Sequence, residues 1–331
     1  MSSHPSNSEP SPFDRLNEKV QHWIWDKGWN ELRDIQAKAI GGVLDGENDV
    51  ILAATTAAGK TEAAFLPILS SIALDNIDSF AILYVSPLKA LINDQFRRLE
   101  DLCERLELPV VKWHGDASAA AKARAIQNPR GVVLITPESL ESLLVRRGPD
   151  VRRLIHDLRF IVIDELHAFL SGERGIHLAS LLKRLDATAG RRIRKVGLSA
   201  TIGDFALAQY FMNPTEPQTV QLIESSLGQP ELRLQIRGYR EPDPDWETRK
   251  PEEERLVPAQ TAIVAHLHQT LRGRNNLVFA SRRQEVESVA DALGRLSESK
   301  RVPNEFFPHH GSLSKTLREE LEERLKSGEL P

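Results

Sequence analysis

Short, predominantly apolar runs recur along this chain with amphipathic stretches between them. Apolar runs lie at residues 50–52, 81–85, 110–113, 132–135, 160–163 and 196–198. Each is too short for a helix and predicts a buried strand. Helical periodicity occupies 88–106, 117–127, 137–146 (with Pro137 in its first turn) and 176–185. An earlier helix is predicted over 13–27, with Leu16, Val20, Trp23 and Ile24 on one stripe and Gly28 as its stop. Apolar strands alternating with amphipathic helices predict an α/β fold, a parallel sheet with helices on both faces.

The pattern breaks at 224–257, where prolines and charges crowd together as in GYREPDPDWETRKPEEER. This stretch reads as a linker with one edge strand at 232–236. A second α/β pattern follows: helix 259–271, strand 277–280, helix 282–296, strand 305–310 and helix 315–326. Residues 1–12, rich in Ser, Pro and Asn, predict a disordered tail. The expected organisation is a complete unit over 13–223, a linker over 224–257 and a second, partial unit over 258–331.

Composition narrows the function classes. At 331 residues, 40% hydrophobic and 27% charged, the chain has ordinary globular values and room for about two domains. A net charge of −4 carries no overall nucleic-acid signature, so such binding requires a local patch. The single cysteine, Cys103, excludes an internal disulfide and a cysteine-based metal site. His266 and His268 are two apart on a predicted helix and face different ways, which argues against zinc. No apolar run reaches the roughly 18 residues of a membrane span. The expectation is a soluble, cytoplasmic protein with no membrane partner.

Chemistry concentrates at the predicted carboxyl ends of strands, where ligands bind in such sheets. The stretch DVILAATTAAGKTEAAFL reads strand, tight loop, helix, with Gly59, Lys60 and Thr61 at the helix start. Backbone N–H groups of such a loop and the helix N-terminus point at an anion. Lys60 adds a cation for the β- and γ-phosphates, and the Thr61 hydroxyl is placed to ligate Mg²⁺. The loop departs from G-x-x-x-x-G-K-[ST] with Ala54 at its head, and Thr56, Ala57 and Ala58 lead into Gly59. An alanine needing positive φ would strain it. The strand of FIVIDELH delivers Asp164, a candidate Mg²⁺ holder, and Glu165, a candidate base for water. Ser199 and Thr201 follow the strand of KVGLSATIGD, either linking the acidic motif outward or capping the next helix. Pro87 and Lys89, then Thr136, Pro137 and Glu138, then Arg174 stand at three further strand-to-helix junctions or Gly-flanked loops. Singly, each suits an N-cap or a solvated charge; at one sheet end together they suit a sugar–phosphate backbone.

Read together, these words resemble a superfamily 2 DEAD/DEAH-box helicase of the Lhr-like branch, over nearly the whole chain from about Trp23. LRDIQ resembles the Q-motif, with Gln36 as adenine reader, and AATTAAGKTEAAFLP resembles motif I. SPLKAL, TPESL, DELH and LSAT resemble motifs Ia, Ib, II and III, and NLVFASRR resembles motif IV. The resemblance implies RecA-like domains, ATP and Mg²⁺ as cofactors, and ATP-driven movement along single-stranded or partly duplex nucleic acid, DNA rather than RNA. It implies nucleotide contacts from Gln36 and residues 56–61, catalysis by Lys60, Asp164 and Glu165, and coupling through His167, Ser199 and Thr201. Ser281 and Arg282 would meet the nucleic acid from the second unit. Motifs V and VI, with their arginine fingers, do not follow LKSGELP. The second RecA-like unit is therefore expected to be half a domain, as a fragment, a truncated gene product, or a chain whose missing motifs a second chain supplies. The alternative is a nucleotide-gated binding module with little ATP turnover.

Overall fold

A computed structural model describes residues 10–55, 58–200, 202–225, 233–241 and 258–328. The chain divides into two compact units, Met1–Pro230 and Glu231–Pro331.

The first unit is built on a parallel sheet. Its strands are β1 (Val50–Ala53), β2 (Ile82–Val85), β3 (Val110–Trp113), β4 (Val132–Ile135), β5 (Phe160–Ile163), β6 (Arg194–Ser199) and β7 (Gln221–Glu224). They stand in the order β3-β4-β2-β5-β6-β1-β7. Alternate residues feed two cores, as a strand period of two demands. Val50, Leu52, Tyr84 and Val162 enter one core, while Ile51, Leu83, Val85 and Ile163 enter the other. Both faces are covered, so β1, β2, β4 and β5 are apolar at every position rather than alternately.

The helices over the first core are α1 (Glu18–Asp26), α2 (Asp34–Leu44), α3 (Lys60–Ile72) and α4 (Lys89–Arg105). Next come α5 (Ala119–Gln127), α6 (Pro137–Arg146), α7 (Gly148–Ile155), α8 (Gly172–Ala189) and α9 (Phe205–Met212), which contribute to the second core. The helix expected over 13–27 is split. Residues Phe13–Arg15 form a 3₁₀ turn, and the Asn17 side chain accepts from the backbone N–H of Lys19 to cap a separate α1. Helix α7 and strand β7 were not anticipated, and α9 was anticipated only as a helix following the strand of KVGLSATIGD.

Register aligns the strand ends that matter. Trp113 pairs with Ile135, Ile135 with Val85, and Val85 with Ile163. The residues that follow these ends, Thr136, Ser86 and Asp164, therefore stand in one row. Backbone bonds from Ser86 to Ile135 (3.0 Å) and from Asp164 to Val85 (2.8 Å) continue the ladder to that row. On the other side, Ala53 pairs with Ser199.

In the second unit the described elements are three helices, α10 (Ala259–Leu271), α11 (Arg283–Ser299) and α12 (Lys315–Ser327). Here the expected strands at 277–280 and 305–310 are not formed among the described residues. A strand is a property of a pair, and among the described residues neither segment has a partner to complete its ladder. Helices satisfy their own backbone and form regardless. Residues 233–236 of the expected edge strand are likewise irregular, and Leu232 lies outside the described residues. The expected tail over 1–12 is described only from Pro10, and most of the linker lies outside the described residues.

No described helix is long and apolar enough to cross a membrane.

Candidate nucleotide and nucleic-acid site

Strand β1 ends at Ala53, and α3 begins seven residues later at Lys60. Gly59 makes the entry, with φ +85 in the left-handed region where a side chain is costly. The positive φ thus falls on the glycine and not on Ala58, which removes the strain expected of alanine there. Thr56 and Ala57 lie outside the described residues. Gln36 lies on α2 and is 1% exposed. Its Oε1 accepts from the Arg33 N–H (2.9 Å), and its Nε2 would lie 2.7 Å from a Cβ built on Gly59. The amide is therefore held against the mouth of the loop.

Lys60 Nζ donates to the carbonyls of Ala54 (2.8 Å) and Thr55 (3.2 Å). Burial pushes its pKa down, opposed by the nearby Glu165 and Asp164 carboxylates. Asp164 is buried; desolvation and the charge of Glu165 push its pKa up, while Tyr84, the Glu165 N–H and Lys60 pull it down. Asp164 Oδ1 accepts from the Glu165 N–H (3.0 Å), and Ser86 Oγ donates to Oδ2 at 3.5 Å. Glu165 itself adopts φ +48, a strained value for a residue with a side chain. That turn aims the chain into the 3₁₀ turn Leu166–Phe169. His167 Nδ1 then lies 3.5 Å from Glu165 Oε2 and 3.2 Å from Ser199 Oγ. The acidic motif and the end of β6 are joined through one imidazole. Thr201 lies outside the described residues.

Thr61 and Asp164 offer a buried hydroxyl and a buried carboxylate, both oxygen donors. No group of three or more His, Cys, Asp or Glu that could hold a metal exists among the described residues. Oxygen donors of this kind suit Mg²⁺, which takes one or two carboxylates and completes its shell with water and substrate phosphates.

A second cluster joins the other strand ends. Arg174 Nη2 donates to the Pro87 carbonyl (3.0 Å) and to Glu138 Oε1 (2.8 Å), and Nε donates to the same oxygen (3.2 Å). Partial burial works against the Glu138 charge, but its own helix N–H, Arg174 and Thr136 outweigh that and hold its pKa down. Thr136 caps α6 by accepting from the Ser139 N–H, with Pro137 at the first helical position. Lys89 opens α4 and pairs with Asp116 at 3.1 Å. Three segments far apart in sequence thus meet at one end of the sheet. In the second unit, Arg282 occupies the N-cap position of α11, and the Ser281 N–H donates to Glu285 (3.2 Å).

Ser86 and Tyr84 belong beside Asp164 and were not anticipated. Ser86 carried a signal, since it directly follows a strand. Tyr84 carried none, because only the tertiary fold brings strand β2 beside β5.

Residues 33–208 match the family described as DEAD/DEAH box helicase. The ATP-dependent helicase Lhr-Core of Methanothermobacter thermautotrophicus is 31% identical over 95% of this chain and 37% of its own length. That of Methanocaldococcus jannaschii is 29% identical over 98% and 38%. Among solved structures, Mycobacterium smegmatis helicase Lhr bound to ssDNA and AMP-PNP matches with a TM-score of 0.76 at 26% identity, covering 97% of this chain and 41% of that one. The chain spans less than two-fifths of the length of these curated relatives. The sheet is of the RecA-like α/β kind, and the chain belongs to the DEAD/DEAH-box helicase family.

Proposed function

We propose that this chain binds ATP with Mg²⁺ and couples its hydrolysis to movement along nucleic acid, single-stranded or partly duplex, and DNA rather than RNA. The observation that carries the reading is the convergence of Lys60 with Asp164 and Glu165, joined through His167 to Ser199. In this reading residues 56–61 cradle the phosphates, Gln36 reads adenine, and Thr61 and Asp164 hold Mg²⁺, which would neutralise developing phosphate charge. Glu165 orients the attacking water. His167, Ser199 and Thr201 pass the phosphate state to the strand ends bearing Pro87, Lys89, Thr136, Pro137, Glu138 and Arg174, where the nucleic acid lies. Ser281 and Arg282 grip it from the second unit. The relative whose solved structure holds ssDNA supports the choice of DNA.

The unpaired segments at 277–280 and 305–309 favour a second reading, a nucleotide-gated grip with slow hydrolysis. Without an arginine finger at the γ-phosphate, worth about 10³ to 10⁵ in rate in related P-loop enzymes, such a site grips more than it turns over. Steady-state ATP turnover with and without single-stranded DNA separates the readings. Turnover stimulated by DNA and lost in Glu165→Gln supports the motor. Nucleotide-dependent DNA binding with negligible turnover supports the grip, and loss of neither property on Lys60→Ala would overturn both.

A further inference from the structure

Helices α8 and α9 flank a cleft of about 370 Å³ on the first unit, lined by none of the residues assigned to nucleotide. Its floor is apolar and buried: Phe169, Leu182 and Met212. Around its mouth three large apolar side chains face solvent, Ile176 at 75% exposure, Tyr210 at 59% and Leu207 at 43%. Scattered exposed hydrophobics are ordinary, but three ringing one apolar cleft mark an interaction surface.

We propose that this cleft is a docking groove for an amphipathic helix of a protein partner, with an acidic residue at one end of that helix. Both walls are helices. On α8, Ile176, Ala179 and Lys183 recur at i, i+3 and i+7, one face of a helix; on α9, Leu207, Tyr210 and Phe211 recur at i, i+3 and i+4. Two such stripes with a furrow between them are the receptor half of helix-in-groove recognition. Among the described residues the only strand lining the cleft is β6, through Lys195, and β6 is paired on both sides, so strand addition has nothing to pair with. From Ile176 to Lys183 the groove runs about 10 Å at 1.5 Å per residue, which a helix of two turns spans. The ring of exposed residues outside the cleft would stay wet under a small molecule and is covered by a helix.

Charge sets the direction and the chemistry. Four charged side chains line the cleft, and three are already engaged with groups of the same unit. Lys195 pairs with Asp186 at 3.4 Å, and Arg192 pairs with Asp49. Asp186 also accepts from the Ile193 N–H at 2.9 Å. Lys183 is exposed and has no ion pair among the described residues. The groove therefore presents one uncompensated cation at the end opposite Ile176, and a carboxylate on the incoming helix complements it.

The site sits where occupancy would matter. Phe169 closes the turn that carries the acidic motif, and its carbonyl lies only 2.1 Å from a Cβ built on Gly175 of α8. Met212 of α9 packs on Gly197 of β6, two residues before Ser199. Both groove walls thus lean on the elements that deliver Glu165, His167 and Ser199.

The test uses the full chain and a fluorescein-labelled synthetic helix with leucines at i, i+3, i+4 and i+7 and two glutamates at its C-terminal end. A scrambled peptide of the same composition is the control, read by fluorescence anisotropy. Ile176→Glu and Lys183→Glu alter exposed side chains, so folding is not at stake and circular dichroism confirms it. Expected is saturable binding of the patterned peptide, weakened at least tenfold by Ile176→Glu. Lys183→Glu should weaken it too and regain binding with a lysine-ended peptide. Equal binding of the scrambled peptide, no binding at all, or variants indistinguishable from the original chain would overturn the proposal. Concentration-dependent self-association that Ile176→Glu abolishes, seen by sedimentation velocity, would overturn it in favour of a second copy as occupant. Neither ATP nor nucleic acid enters the assay, so its outcome is independent of the function proposed above.

Discussion

At the scale of single residues the site is a set of charges held at a cost. Lys60 loses solvation at the head of α3, so its ammonium needs anions, and a triphosphate supplies them. Lys60→Ala is expected to weaken ATP binding about 100-fold, the value of one strong charge-assisted bond, read by fluorescent-nucleotide titration. Glu165→Gln should leave that binding intact and lower turnover about 100-fold, the usual weight of a general base. Asp164 pulls function and stability apart. Its carboxylate is buried beside Glu165 and its pKa is raised, so the charged form is disfavoured in the folded state. A group raised in this way gives stability below its unfolded pKa of about 3.9 and loses it as pH rises through the folded value. Asp164→Asn keeps the bond from the Glu165 N–H and removes that charge. At neutral pH it should raise the melting temperature of the first unit by about 2–4 °C while abolishing Mg²⁺-dependent nucleotide binding. A melting temperature that fell would show the carboxylate to be net stabilising.

At the scale of elements, strand ends and their partners decide behaviour. Lys89 at the start of α4 and Arg174 in the first turn of α8 are the cations at the proposed track. Lys89→Ala and Arg174→Ala together should weaken single-stranded DNA binding uniformly across sequences and reduce the salt slope by about 0.7 per lost contact. Lys89→Ala alone leaves the Arg174 bridge to Pro87 and Glu138 untouched, so half the change without any loss of fold is the expected signature. In the second unit, Leu277 and Phe279 are 67% and 89% exposed on a segment without strand pairing. Amide exchange there should be fast, and slow in β5 and β6. Slow exchange throughout would mean that pairing forms in solution. Helix α10 packs on α11 through His268, whose Nε2 lies 3.2 Å from Ser297 Oγ. Burial first, then Lys300 and Arg272, lowers the His268 pKa, with Glu305 opposing. The unfolded chain therefore takes up a proton near pH 6.5 that the folded unit refuses, and stability of this unit should decline as pH falls through that value.

At the scale of the whole molecule, the two units differ in how completely they bury their own elements. The first has a sheet covered on both faces by two cores and every inner strand paired on both sides. The second has described helices whose apolar faces lack a sheet, and losing a few hundred Å² of cover costs several kcal/mol at about 25 cal/mol per Å². That is comparable with a domain's whole stability. Two melting transitions are expected, the upper raised by ATP and Mg²⁺ and the lower unaffected by them. A single cooperative transition would mean that the second unit is held by something beyond its own contacts.

Most of the first unit was legible in the sequence because its signals are local. A run such as FIVI, too short for a helix, favours a buried strand, and a Gly-Lys-Thr at a helix start presents N–H groups to an anion whatever surrounds it. Strands β3, β4 and β5 and helix α6 accordingly stand where the apolar pattern places them. The motif order likewise disclosed the family. Other properties are relations between distant segments, and no local pattern carries them. Burial of Gln36, its amide against Gly59, and Tyr84 beside Asp164 exist only once α2, β2 and β5 are side by side. The split before α1 depended on one capping side chain, and short β7 depended on the neighbouring β1. The segments at 277–280 and 305–309 make the same point in reverse. Their apolar side chains specify strands, but a strand's hydrogen bonds belong to its neighbours, and only the assembled sheet decides whether those bonds form.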